Sequence, residues 1–492
     1  MEAQFIRSNT SIFTMNSIPL VVDLDGTLVL TDMLYESMVK AFQEKPLSSA
    51  LKIPYWLSRG KATLKQILAK HYTVDVAHLP YNSEFLNWLQ AQRSAGRKLI
   101  LCTASDHTIA SAIATHLGLF DEVMASDGHI NLSRHHKAEA LVQRFGKGGF
   151  DYAGNSRADL AVWSQARRAI LVNASDNVRQ KAQTYCEIEP SFSSPKSYFK
   201  TGRSVLRVHQ WLKNSLLAIP LLAAHKITSL SDWALILLAF IAFSVCASSV
   251  YIANDLLDLE SDREHPRKSK RPFAAGKAPI GLGFILAPSL FVISIALALQ
   301  INLLFLVCLL AYFLLTCAYS LWLKRLVLLD CLTLALLYTL RIVAGAMAIG
   351  MGLSFWLLAF SVFLFLSLAF VKRYAELQSQ HLKGKEKVQG RGYHTADAPL
   401  VQMSGICAGY AAVLVLALYL NSDAVLMLYR TPTLIWGDIP ILLFWINWMW
   451  LRAHRGEMHD DPVIFAIKDK VSLFSGFAFT LILAAGTVNW PW

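Results

Sequence analysis

The chain has 492 residues, 54% of them hydrophobic and only 16% charged, and its mean hydropathy of +0.41 exceeds that of a soluble protein. The net charge of +12 does not point to nucleic acid, because Lys and Arg crowd short loops between apolar runs, as in a membrane protein. The seven cysteines form no CxxC pair, and Cys246, Cys308, Cys317 and Cys331 sit inside apolar runs, which argues against disulfides and zinc.

From the N-terminus, Met1 to Thr14 lacks the continuous apolar stretch of a signal peptide, so the first domain is expected in the cytoplasm. Residues 16–186 then alternate short apolar runs with mixed, helical segments. Ile18–Leu24, Lys98–Thr103, Glu122–Ala125, Phe150–Ala153 and Ala169–Val172 are the predicted strands, and the alternation predicts a doubly wound α/β fold. Val21-Val22-Asp23-Leu24-Asp25-Gly26-Thr27 puts two carboxylates at a strand's C-terminal end, the edge where such sheets bind ligands.

That stretch resembles the DxDGT motif of the HAD (haloacid dehalogenase-like) superfamily of phosphatases. The resemblance implies that Asp23 attacks phosphorus, that Asp25 acts as general acid–base, and that Thr103 and Lys137 bind phosphate. It also implies a magnesium site from Asp23, Asp25, Asn155 and Asp159, with residues 28–95 as a small helical cap. The chain departs from the family at Gly154-Asn155-Ser156-Arg157-Ala158-Asp159, where GDxxxD or DD is usual. Asn155 offers only a neutral carbonyl oxygen there, leaving Asp159 or Asp151 to supply charge and lowering the expected metal affinity. A catalytically idle domain that docks or regulates is the alternative. Residues 187–202, containing Glu189-Pro190-Ser191-Phe192-Ser193-Ser194-Pro195, read as a linker.

Across residues 203–492, about nine segments are long or apolar enough to span a bilayer, predicting an all-α polytopic domain. They begin near Val208, Trp233, Ile280, Asn302, Leu326, Phe355, Val401, Thr433 and Val471, the first having the shortest apolar core, Leu216 to Ala224. Basic residues alternate between loops. Arg263 to Lys277, Lys324 with Arg325, Lys372 to Arg391 and Arg452 to Lys470 mark one side, whereas the opposite loops hold only Lys226 and Arg430. The pattern predicts a plasma-membrane protein with an external C-terminus at Trp492.

At the end of the second span, Asp255, Asp258 and Asp262 stand at i, i+3 and i+7, within about 60° of one another on a helix. A helix C-terminus favours cations, so three carboxylates there call for a positive ion between them. Mg²⁺ suits such an oxygen-rich cluster and shares its shell readily with substrate phosphates.

Asn254–Asp262 resembles the NDxxDxxxD motif of the UbiA superfamily of intramembrane prenyltransferases, over residues 203–492. The resemblance implies that Asn254, Asp255, Asp258 and Asp262 hold a diphosphate through Mg²⁺. A second aspartate-rich DxxxD motif is usual, but the corresponding loop reads Lys372-Arg373-Tyr374-Ala375-Glu376-Leu377, and Asp330 is followed four residues on by Leu334. The basic version is similar to one branch, the decaprenyl-phosphate phosphoribosyltransferases. Its likeness extends over His209–Asn214, Asp262–Lys268, Arg271-Pro272, Tyr319–Lys324, Leu340-Arg341 and Asp461-Pro462-Val463.

This branch implies two anionic substrates, phosphoribosyl diphosphate and a polyprenyl phosphate. Lys213, Lys268, Arg271, Lys324, Arg341, Lys372 and Arg373 are the candidate phosphate ligands. The positive-inside rule accounts equally for most of them; Arg341 differs, since it lies within an apolar span where an unpaired charge is costly. The fused phosphatase would remove the 5-phosphate of the lipid product. The alternatives are polyprenyl transfer from a diphosphate to an aromatic acceptor and, in another class, a transporter or scaffold. A transporter would place its ionisable groups near the bilayer midplane, not at its edge.

Overall fold

The computed structural model describes residues 18–127, 132–193, 197–388, 391–458 and 461–488, so Trp492 lies outside the described residues. Strands β1 (Leu20–Val22), β2 (Leu99–Asp106), β3 (Glu122–Ser126), β4 (Asp151–Gly154), β5 (Arg168–Val172) and β6 (Glu187–Phe192) form one sheet in the order β3-β2-β1-β4-β5-β6. Every pairing is parallel. Successive side chains alternate faces. Leu20, Val22, Leu99 and Leu101 enter one core, while Val21, Ile100 and Cys102 enter the core on the other side.

The first five strands coincide with the predicted runs; β6 does not. Glu187–Phe192 falls in the expected linker, but it adds an edge strand, and an edge position is where a sheet tolerates Pro190. Helices α1 (Met33–Glu44), α2 (Pro46–Ser58) and α3 (Lys61–His71) gather around Ala41, Ile53, Leu64, Leu68 and Tyr72 as the cap. Helices α4 (Ser83–Ser94), α5 (His107–Leu117), α6 (His135–Phe145), α7 (Leu160–Trp163) and α8 (Asp176–Gln183) complete the α/β layers.

The remaining helices are α9 (Tyr198–Val205), α10 (Ile219–Ala223), α11 (Leu230–Leu257), α12 (Leu259–Glu264), α13 (Ile280–Leu299), α14 (Leu303–Leu321), α15 (Leu329–Ala348), α16 (Phe355–His381), α17 (Ala398–Leu420), α18 (Asp423–Leu428), α19 (Asp438–His454), α20 (Pro462–Lys468) and α21 (Lys470–Gly486). Among the described residues seven helices are long and apolar enough to cross a membrane, or eight if α20 and α21, bent by 84°, count as one span. The protein is an integral membrane protein. The count falls short of nine because the first expected span is a 3₁₀ segment, Val208–Ala218, followed by the five-residue α10. Helices α11 and α15 are the most enclosed, at 61% and 67% buried, whereas α13 is 17% buried and turns its apolar surface outward.

The chain forms two compact units. One is the chain up to Leu206 together with Ile252–Leu286; the other is Arg207–Tyr251 with the chain from Ala287 onward. The expected boundary near residue 203 is therefore incomplete, because the aspartate-rich segment groups with the α/β fold. Within that first unit Tyr35 and Phe42 pack on Phe284. Gly276, at φ +66°, comes so close that a Cβ there would stand 2.5 Å from Leu30 Cβ.

Candidate active sites

Asp23 follows β1, Thr103 lies on β2 and Asn155 follows β4, so the sheet order brings them to one C-terminal edge. Lys137, from α6, donates to Asp23 Oδ1 at 2.6 Å and to the Tyr152 hydroxyl at 3.0 Å. Asp25 accepts from Ser105 Oγ (2.7 Å) and from the Met33 backbone N–H (2.8 Å). Thr103 is fully buried and accepts from the Ser105 N–H at 3.0 Å, at the register shift near the end of β2 from which Ser105 reaches Asp25. Burial pushes the Asp23 carboxyl up to about 7, the Lys137 ammonium offsetting only part of the rise. Burial alone would lower Lys137, but the neighbouring Asp23 carboxylate more than offsets it and keeps the ammonium charged.

Asn155 fills a cradle that only glycine leaves open: Gly26 has φ +76°, and a Cβ there would stand 2.0 Å from Asn155 Nδ2. Asp23 and the Asn155 carbonyl thus provide oxygen donors that fit a magnesium ion, with one anion fewer than the usual set. Asp159 does not make up the difference. Its Oδ1 accepts from Tyr152 (2.9 Å), and its Oδ2 accepts from the Asn155 N–H (3.1 Å) and from Ser156 N–H and Oγ (both 2.9 Å). Both oxygens brace the loop. Asp151 is at the opposite end of β4, paired with Arg97 and Arg167.

In the aspartate-rich segment the helix breaks at Asp258, which lies between α11 and α12 with φ −94° and ψ 12°. The helical register nonetheless survives: Asp258 N–H donates to Asn254 O and Asp262 N–H to Asp258 O, each at 2.8 Å. Asp255 and Asp262 therefore come together, whereas, among the described residues, the expected grouping of all three aspartates, Asp258 included, is not one of the carboxylate clusters within 4.8 Å. Both reach Arg271 Nη1, at 3.1 and 2.5 Å. Asp262 Oδ1 is buried with no hydrogen bond, and Lys268 Nζ stands 3.9 Å from it. Burial raises the Asp262 carboxyl, and Arg271 offsets part of that rise. Two carboxylates meeting on one cationic nitrogen, with a spare buried oxygen, fit a divalent cation. Arg271, expected to meet phosphate, is here the counter-ion of these aspartates.

In the second unit the basic candidates divide. Lys213 and Lys372 both reach Asp461 Oδ2, at 2.8 and 3.0 Å, and Tyr338 donates to Asp461 Oδ1 at 2.8 Å. Burial would raise the Asp461 carboxyl, but the two ammonium groups overcome it and hold it well below the usual range. Asp461 received no role from the sequence; its place ahead of Pro462, as the N-cap of α20, is the signal that was present.

Arg373 and Arg341 are both held by neighbouring residues. Arg373 is fully buried, with Nη2 2.5 Å from Asp330 Oδ2 at an angle too oblique for a hydrogen bond, and it also pairs with Glu376. Arg341 donates to Asn214 (2.9 Å), Leu337 O (2.5 Å) and the Tyr312 hydroxyl (3.1 Å), and its guanidinium lies 4.8 Å from the Tyr312 ring centre. Lys324 is half-buried in a 3₁₀ turn, Leu323–Arg325.

The fold and these sites define a polytopic membrane protein that carries an α/β hydrolase-like unit. Residues 215–486 match the UbiA prenyltransferase family, and residues 20–163 match haloacid dehalogenase-like hydrolases. The chain belongs to the UbiA prenyltransferase family. An uncharacterized protein of Sinorhizobium fredii is 38% identical across 93% of this chain and 89% of its own length. The nodulation protein NoeC of Azorhizobium caulinodans is 34% identical across 56% of this chain and 89% of its own. A decaprenyl-phosphate phosphoribosyltransferase of Mycolicibacterium smegmatis is 34% identical across 39% of this chain, and the match spans 62% of that enzyme. Among solved structures, a UbiA homolog from Archaeoglobus fulgidus bound to GPP and Mg²⁺ matches with a TM-score of 0.44 and 19% identity, covering 58% of this chain and 98% of its own.

Proposed function

We propose that the chain transfers phosphoribose from phosphoribosyl diphosphate to a polyprenyl phosphate, and that its HAD-like unit removes the 5-phosphate from the lipid product. The observation that carries the reading is the convergence of Asp255 and Asp262 on a single cationic nitrogen. The Lys213–Asp461–Lys372 group in place of a second acidic motif supports it. Asp255, Asp258 and Asp262 would hold Mg²⁺, which neutralises the charge of the leaving diphosphate. Arg271, displaced from the carboxylates, becomes a partner for that diphosphate. Lys213 and Lys372 exchange Asp461 for the phosphate of the acceptor lipid. That phosphate is already ionised near neutral pH, so its oxygen attacks the ribose C1 without a general base, and the rate comes from positioning and electrostatics.

The HAD-like unit and the basic loops face the cytoplasm in this reading, with the spans in the plasma membrane. In the phosphatase step Asp23 is the nucleophile, Asp25 moves the proton of the leaving group, and Lys137 holds the phosphoryl charge. Tethering raises the local concentration of the phosphorylated lipid.

The test is to incubate the purified protein with Mg²⁺, polyprenyl phosphate and radiolabelled phosphoribosyl diphosphate. Labelled lipid is expected, and it should retain its 5-phosphate only in Asp23→Asn. Failure of transfer, alongside activity with a prenyl diphosphate and an aromatic acid, would replace phosphoribosyl by prenyl transfer.

A further inference from the structure

Three residues of the cap helix α1 grip the aspartate-rich segment. The Glu36 carboxylate receives both arms of the Arg263 guanidinium, at 2.6 and 3.1 Å, with the two side chains only 4% and 5% exposed. One turn on, Lys40 Nζ meets Glu260 at 2.8 Å. A further turn on, Gln43 Nε2 donates at 2.8 Å to the carbonyl of Leu257, the last residue of α11. Positions 36, 40 and 43 form a single helical stripe, and they meet 263, 260 and 257 in antiparallel order. Arg263 also donates from Nε to Ala274 O at 3.3 Å, tying the returning loop to the same point.

The gripped segment needs outside support. Helix α12 has six residues, far fewer than an isolated helix requires to be stable in water, and the chain breaks at Asp258 just before it. Asp262 immediately precedes Arg263, so the pair that fixes Arg263 also fixes the backbone that presents Asp262. At its other end α1 starts on the HAD centre, where the Met33 N–H donates to Asp25.

We propose that Glu36 is a positioning residue for the aspartate-rich segment: through Arg263 it sets where Asp258 and Asp262 stand, so the HAD-like unit serves metal binding at that segment whether or not it hydrolyses a phosphate. The inference rests on the reading of those aspartates as magnesium ligands. Residues that orient metal ligands from behind contribute about 10–100-fold to metal affinity.

The test uses the full chain in detergent. An Asp23→Asn, His78→Gln background silences the HAD centre and the exposed group Asp75, His78 and Glu264, whose ligand atoms lie within 4.8 Å of one another. Mn²⁺ binding is followed by electron paramagnetic resonance. Glu36→Gln and Arg263→Gln are each expected to weaken Mn²⁺ about tenfold or more, and Glu36→Arg combined with Arg263→Glu to regain most of the loss. In the wild-type background the Mg²⁺ KM of transfer should rise for Glu36→Gln while kcat at saturating Mg²⁺ holds. Should Glu36→Gln fail to fold, Lys40→Gln carries the test with a smaller weakening. Parental Mn²⁺ affinity in the single variants overturns the proposal. If Asp262→Asn also binds Mn²⁺ as the parent does, the metal reading itself falls; if Asp262→Asn abolishes binding and Glu36→Gln leaves it intact, only the positioning role falls.

Discussion

Arg271 stands where the paired carboxylates of Asp255 and Asp262 require a positive charge. Removing it takes from those two buried carboxylates, 2% and 0% exposed, the cation that both share, and removing one partner of a buried ion pair is destabilising. Arg271→Gln is therefore expected to lower the thermal midpoint in EDTA and to respond more strongly to added Mg²⁺ than the parent, since ligands stabilise the state that binds them. A midpoint that moves equally with Mg²⁺ in both proteins would contradict this. At the HAD centre the shift of Asp23 from 3.8 to about 7 makes its ionised form costly. The folded state holds that proton longer than the unfolded chain, so the metal-free fold loses stability as pH rises from about 4 through 7. Below about 7 a cation must displace the proton. The Mg²⁺-induced rise in midpoint is thus expected to be larger at pH 8 than at pH 6, as differential scanning fluorimetry can check, and Asp23→Asn should flatten the difference.

At the scale of elements, the 3₁₀ segment Val208–Ala218 has three residues per turn, so Trp211 and Asn214 share a face. They meet Ser248 and Ser244, one turn apart on α11, at 2.9 and 3.0 Å. Asn214→Ala would also leave Arg341 Nε without its partner, and an unsatisfied buried donor costs about 1–3 kcal/mol. A clear drop in thermal midpoint is expected for Asn214→Ala, and a smaller one for Ser248→Ala. Much of this architecture was legible in the sequence: buried parallel strands announce themselves as short apolar runs, and spans as long ones. What escaped did so for physical reasons. Glu187–Phe192 alternates polar residues and contains Pro190, a pattern compatible only with an edge. The segment from Val208 reads as a span, but its apolar core, Leu216 to Ala224, is well short of the roughly 20 residues that a transmembrane α-helix needs. Among the site candidates, motif spacing named Asp23 and Lys137, which the structure brings into contact, and Asp255 and Asp262, which meet on Arg271. It did not reveal that Arg373 meets Asp330 and that Arg341 meets Asn214, because ion pairs and hydrogen bonds across distant sequence leave no local signature.

For the whole molecule, α11 is the informative span. Its 28 residues reach about 42 Å, more than the roughly 30 Å of bilayer hydrocarbon, so its two ends open on opposite sides of the membrane. Its C-terminal end and the residues that follow, Ile252–Leu286, belong to the same compact unit as the α/β fold. In a cysteine-free background, Leu51→Cys and Ser269→Cys are expected to react with an impermeant thiol reagent from one face, and Lys226→Cys from the other. Labelling of Leu51→Cys from the same face as Lys226→Cys would contradict that arrangement.

The Glu36–Arg263 pair joins positions 227 residues apart. A chain divided after Leu206 would leave Arg263 in a segment that has lost Glu36, Lys40 and Gln43 together. Gene fission, which usually separates two folded units at little expense, would here cut across an ion pair. A substitution at either end is expected to be milder once the other end has changed to match, so the two positions should vary as a pair.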